Sequence, residues 1–134
     1  MDIEVFTLCD FAQDINGKLT IVGTFDTLYA TKLPAQHPNC HLAARIRFHN
    51  GEQGKVPFGI RITSPDGEDL IKPVGAEFYV PMNPGADSST QNICLGIGGL
   101  PIKVYGKHII TLSINGQDLK TLPMFVAKPP QANA

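Results

Sequence analysis

Apolar and polar residues alternate with a period of two along most of this chain. In "KLTIVGTFD" (18–26), Leu19, Ile21, Gly23 and Phe25 fall on one side, and Lys18, Thr20, Thr24 and Asp26 on the other. Only Val22 breaks that polarity. "VPFGIRIT" (56–63) alternates more cleanly, with Val56, Phe58, Ile60 and Ile62 set against Pro57, Gly59, Arg61 and Thr63. Successive side chains of a strand point to opposite faces, so this period predicts half-buried strands. The same reading predicts strands over 3–11, 40–49, 74–80, 90–97 and 107–114. No stretch of ten residues carries a helical stripe with caps.

Two Asn-Gly pairs punctuate the pattern. Asn-Gly supplies the positive φ angles that a type I′ hairpin turn demands. A two-residue loop at Asn16-Gly17 places Ala12 opposite Ile21 and Leu8 opposite Phe25, all on one apolar face. At Asn115-Gly116 the same geometry sets Leu112 opposite Leu119 and Ile110 opposite Thr121. Beyond Thr121 the apolar phase slips, since Leu122, Met124 and Val126 share the other parity. The slip predicts a β-bulge near 120–122, and Pro123 predicts an edge or bulged position. "SPDGED" (64–69) reads as a turn, "PMNPGADSS" (81–89) as a longer loop, and "KPPQANA" (128–134) as a flexible polar tail.

Short strands at regular spacing predict an all-β fold, an antiparallel immunoglobulin-like sandwich of about 7–9 strands with terminal β-hairpins. One domain spans 1–127. The opening "CDFAQDINGKLTIVGTFDTLYA", the closing "YGKHIITLSINGQDLKTLPMFVAK" and the central "HLAARIRF" resemble a bacterial family of small proteins classed as a domain of unknown function. The resemblance spans roughly residues 3 to 127. It implies an immunoglobulin-like or related sandwich and brings no catalytic or binding residues with it.

Composition narrows the function classes. The chain has 134 residues, 43% apolar and 17% charged, which is globular and long enough for a hydrophobic core. A net charge of −1 with scattered basic residues gives no footprint for nucleic acid. No apolar run is long enough for a membrane span. The N-terminal "MDIEVFTLCDF" reads as a first strand rather than a signal peptide. Cys9, Cys40 and Cys94 stand far apart without a CxxC pair, which favours reduced thiols in a cytoplasm over a disulfide.

One stretch tempts a metal assignment. "HPNCHLAARIRFH" (37–49) holds three of the four histidines and one cysteine. As a strand it points Cys40, Leu42, Ala44, Ile46 and Phe48 one way, and His41, Ala43, Arg45, Arg47 and His49 the other. His41 and His49 then stand roughly 26 Å apart at about 3.3 Å per residue. Zinc needs its ligands within about 2.0–2.3 Å of one centre. Only His37 and His41 could converge, and two ligands are too few. The stretch reads as a core strand with no metal.

Its polar side is the candidate interaction face: His41, Arg45, Arg47 and His49, joined by Arg61 if the next strand pairs. An anion or acidic partner could meet such a stripe, but the pattern favours a merely solvated sheet face. An alternative loop site gathers Asp66, Glu68 and Asp69, with Asp87 from the 81–89 loop, for calcium or a small ligand. Calcium wants six to eight oxygens, so that site requires the two loops to converge. "LGIGGLP" (95–101) fails as a phosphate loop because Pro101 stands where the last glycine belongs, so its glycines read as a bend. No catalytic motif and no cofactor signature appears. A sugar platform is disfavoured by the absence of Trp and the dispersal of Tyr29, Tyr79 and Tyr105.

The sequence therefore predicts a non-enzymatic interaction or scaffold module with a protein partner, of which self-association as a homodimer is the simplest form. Strand 3–11, apolar on both faces, requires cover on both sides, which a second subunit could supply.

Overall fold

Both Asn-Gly pairs adopt the left-handed conformation their sequence demands, Asn16 and Gly17 at φ 52° and 80°, Asn115 and Gly116 at 54° and 76°. They close hairpins at the two ends of a nine-stranded fold. The computed structural model describes residues 1–81 and 84–130, and none of these forms a helix. The strands are β1 (Asp2–Ile15), β2 (Lys18–Thr24), β3 (Thr27–Tyr29), β4 (Ala35–His49), β5 (Gly54–Thr63), β6 (Val74–Val80), β7 (Ser88–Ile102), β8 (Gly106–Ile114) and β9 (Gln117–Ala127). Met82 and Asn83 of the 81–89 loop, and residues 131–134 of the expected tail, lie outside the described residues.

The strands form two sheets, β2-β1-β4-β7 and β3-β9-β8-β5-β6, packed as a sandwich. Every pairing is antiparallel except one. β3 runs parallel to β9, with Thr27 beside Phe125 and Tyr29 beside Ala127, so the second sheet is mixed rather than wholly antiparallel.

Alternation builds the core as the pattern predicts. Leu42, Ala44, Ile46 and Phe48 of β4 face Ile60 and Ile62 of β5, Ile110 and Leu112 of β8, and Met124 of β9. Phe78 joins the layers, edge-on to Phe48 at 5.9 Å and stacked on Phe58 at 4.5 Å. Each of the Leu, Ile, Phe and Met side chains among them stabilises the fold by about 1.5–3 kcal/mol through burial alone.

The terminal hairpins depart from the expected register in informative ways. In the second, Ser113 pairs with Asp118 but Leu112 with Lys120, so the extra residue is Leu119 rather than one in 120–122. Ile110 therefore meets Leu122, not Thr121, and Met124 and Val126 are returned to the core. Leu119, expected opposite Leu112, is left exposed. Pro123 lies before the short β3 pairing begins at Phe125, so β9 has only β8 beside it there.

In the first hairpin Ala12 pairs with Ile21, and the Phe25 amide donates to the Leu8 carbonyl, as expected. The two pairs nonetheless serve different cores. Leu8 and Phe25 pack in the main one, whereas Ala12 and Ile21 join Cys9, Ala43, Leu19 and Cys94 in a second cluster. Ala43 lies on the outer side of its sheet, so the hairpin has doubled back.

Hydrogen bonds fix that path. β1 pairs with β4 only from Asp2 to Cys9, and Val5 stands beside Arg45. A straight strand would carry Gly17 about 40 Å beyond Val5. Instead the Gly17 carbonyl accepts from Arg45 Nη1 and from Asn92 Nδ2, each at 3.3 Å, and Asp14 accepts from Asn92 at 3.1 Å. The bend falls where Asp10 passes Gly23, between the pairs Cys9–Thr24 and Phe11–Val22. Gly23 has φ +69°, and a Cβ there would lie 2.5 Å from Asp10 Oδ2. Only glycine tolerates both conditions.

Candidate functional site

The basic stripe lies on the outer face of the first sheet, where alternation puts it. What covers it was not legible in the pattern. Ile3 pairs with Ile46 and Val5 with Arg45, leaving Glu4 as an extra, bulged residue. Even parity would send Glu4 inward with Phe6 and Leu8. The bulge turns it outward, between the two arginines.

Glu4 Oε2 accepts from Arg47 Nε at 2.7 Å and Oε1 from Arg45 Nε at 3.2 Å. These bonds, that from Arg47 foremost, hold the Glu4 carboxyl below its usual range and push the Arg47 guanidinium further up. Arg47 also donates to Ser88 at 2.9 Å and Arg45 to Asn92 at 3.3 Å. His49 meets Asp2 at 2.9 Å, and that hydrogen bond lowers the Asp2 carboxyl. His41 lies 3.3 Å from the Asp10 carbonyl, with its ring edge-on to Phe11 at 5.1 Å.

Each member of the stripe thus has a partner within the chain. The Arg45 and Arg47 side chains retain only 28% and 33% of their exposure. The returning hairpin and the β1 acids cover much of the face expected to be wet. The hairpin also packs Leu19 and Ile21 against the cluster that holds Cys9, so Cys9 is covered within the chain.

Arg61 does not join the stripe. Consecutive strands β4 and β5 belong to different sheets, and Arg61 points from the second one, bound to Asp69 at 3.2 Å. Within 37–49, Cys40 is buried in the core and His41 turns out, so the two side chains point apart. His37 packs on Phe25, with ring centroids 5.8 Å apart.

The alternative loop site does not assemble. The 64–69 turn is pinned by Ser64, whose Oγ accepts from the Asp66 and Glu68 amides at 3.2 Å. That turn follows the end of β5. Asp87 accepts a backbone hydrogen bond from Asn50, just before β5 begins. Gly54 pairs with Val80, so the loop after β6 lies at the start of β5. The length of β5, about 33 Å, separates the two loops. Among the described residues, no three His, Cys, Asp or Glu side chains are arranged to hold a metal ion.

All three cysteines are free thiols. Burial pushes each one up, Cys40 to about 11. Among the described residues no helix is long and apolar enough to cross a membrane.

A further feature missed from the sequence is the outer edge of β7. This strand of 15 residues pairs with β4 on one side, without a register shift, from Ser88 to Ile102. Its other side has no strand partner among the described residues. It carries no charged side chain anywhere along its length. Beside it opens a cleft of about 260 Å³ between the sheets, lined by Phe58, Ile60, Val74 and Ala76 across from Ile93 and Leu95.

The family model of DUF6941, a family of unknown function, matches residues 4–127. The chain belongs to DUF6941. No curated protein matches it. In this DUF6941 chain, the missing charge of β7 was visible in "SSTQNICLGIGGLPI". Its significance emerges only with the sheet order that leaves β7 at an edge.

Proposed function

We propose that the protein is a non-enzymatic, cytoplasmic interaction module that takes an extended partner strand along the free edge of β7. The observation that carries this reading is the edge itself, uncharged and regular from Ser88 to Gly98 beside an apolar cleft.

An edge strand offers unpaired N–H and C=O groups to any passing strand, and proteins blunt such edges with charge, proline, bulges or brevity. The other edges carry those devices: β2 opens with Lys18, β3 has three residues, and β6 is short with Glu77 at its centre. On β7 the interruptions begin only at Gly99, with φ +65°, and at Pro101. Main-chain hydrogen bonds contribute roughly 0.5–1.5 kcal/mol each, and alternate apolar side chains entering a cleft supply selectivity. The raised thiols support a role without cysteine nucleophiles, because the thiolate is the reactive form.

A fluorescent peptide with the sequence of residues 89–98, serine replacing cysteine, tests the reading by anisotropy and hydrogen exchange. Saturable binding that protects β7 amides is the expected result. No saturable binding up to millimolar peptide, or protection confined to other strands, overturns it.

A further inference from the structure

We infer that the strand received by β7 is the β7 of a second copy, paired antiparallel about a two-fold axis at Leu95. This inference rests on the strand-accepting reading and names its partner.

The alternation of β7 is self-complementary in that register. Ile93, Leu95 and Ile97 face the core layer, since their β4 neighbours are Ala44, Leu42 and Cys40. Asn92, Cys94, Gly96 and Gly98 face outward, beside Arg45, Ala43, His41 and Asn39. Antiparallel pairing about Leu95 sets Ile93 against Ile97 of the second copy and Leu95 against itself. Apolar side chains then meet on the core side in both halves.

On the outer side, Asn92 and Cys94 each fall opposite a glycine, Gly98 and Gly96 respectively. On β7 itself no two bulky outer side chains meet, and the returning hairpin stands beside them, with Asp14 and Gly17 on Asn92 and Cys94 in the second cluster. Moving the axis to Cys94 would set Gln91 against Ile97, a polar residue against an apolar one on the core side.

Charge points the same way. A strand without a charged side chain has nothing with which to select an oppositely charged partner. Nor does it repel its own copy, since like charges placed opposite each other would destabilise the pair. The apolar clefts beside the two edges would meet and merge, extending one core into the other. A two-fold interface of this kind uses one patch twice, as most soluble homo-oligomers do.

Light scattering over a concentration series tests the assembly, and a designed cross-link tests its register. In the Gly96→Cys variant, the introduced thiol faces Cys94 of the other copy, at the roughly 4.5–5.5 Å Cβ separation of directly opposed residues. Position 96 tolerates a Cβ, whose nearest neighbour would be His41 Nε2 at 3.4 Å. Mild oxidation should give a covalent dimer whose peptide map joins residues 94 and 96. The Cys94→Ser/Gly96→Cys variant should not cross-link, because its two introduced thiols sit diagonally about 7–8 Å apart. Leu95→Lys places two ammonium groups on the axis and should weaken the dimer more than about tenfold, while circular dichroism checks that the chain still folds.

A dimer mass together with the 94–96 link supports the inference. A strict monomer that still binds the 89–98 peptide overturns it and leaves the strand-accepting reading in place. A monomer that binds no peptide overturns both. A dimer that neither cross-links at 94–96 nor responds to Leu95→Lys assembles elsewhere, and also overturns it.

Discussion

Replacing Gly23 with alanine strikes the corner at which the first hairpin turns back over its own sheet. Gly23 sits at φ +69°, where a residue with a Cβ is disfavoured by about 1–2 kcal/mol. The added Cβ would also lie 2.5 Å from Asp10 Oδ2 and 3.0 Å from its Cγ. Moving that side chain off its rotamer costs about 0.5–1.5 kcal/mol more. The sum is about 1.5–3.5 kcal/mol, which for a chain of this size lowers the melting temperature by about 5–12 °C.

Gly17→Ala is the matched control. It shares the positive φ, at +80°, but nothing lies within 4 Å of its Cβ position. It should cost about 1–2 kcal/mol from backbone conformation alone. Thermal unfolding of Gly17→Ala, Gly23→Ala, Asp10→Ala and the Asp10→Ala/Gly23→Ala pair separates the two terms. The double variant should recover the Asp10 portion, about 0.5–1.5 kcal/mol, as a coupling between neighbours. Should Gly23→Ala prove no worse than Gly17→Ala, the close passage at the corner, and with it the account of the covered face, would be refuted.

Other consequences follow from the same geometry. Because the Glu4 carboxyl is lowered in the fold, its contribution is fully present above the ordinary value of 4.5 and is lost as pH falls through the depressed one. Glu4→Gln should therefore flatten the acid limb of a melting-temperature profile, and an unchanged limb would contradict the Glu4–arginine bridge. Cys40 is raised from 9.0 to about 11, so the stabilisation linked to its neutral thiol is fully present below pH 9.0 and lost as pH rises through about 11. A thiol reagent at mildly alkaline pH should modify half-buried Cys94 first and reach Cys9 and Cys40 only on unfolding; early loss of the Cys40 thiol would contradict its burial. Ile62→Ala, with a fully buried side chain in the main core, should destabilise by about 2–5 kcal/mol in a denaturant titration.

Much of the architecture was legible from alternation and turn chemistry. The Asn-Gly pairs located both terminal hairpins, and strand 74–80 has the bounds its pattern predicted. Four things escaped, each for a physical reason. A period of two says which residues share a face but not which sheet a strand joins, so Arg61 was grouped with Arg45 and Arg47 although β5 lies in the other layer. A bulge leaves little trace in a strand that is apolar on both sides, so the outward turn of Glu4 between Ile3 and Val5 was hidden. The doubled-back hairpin depends on one glycine passing an aspartate, a tertiary contact no local pattern encodes. The basic stripe was placed on the correct face, and its ion pairs with Glu4 and Asp2 then came from that unseen bulge and from the strand end. The uncharged run of β7 was in plain view, but only the sheet order reveals it as an edge.

The most direct test of the central claim is residue-resolved hydrogen exchange along β7 at increasing protein concentration. In an antiparallel edge, alternate amides point to the free side while the others are bonded to the neighbouring strand. Pairing of β7 with its own copy predicts that the free-side amides between Asn92 and Gly98 exchange quickly in dilute solution and slow as concentration rises, while their β4-bonded neighbours stay protected throughout. Free-side amides that exchange quickly at every concentration would contradict it.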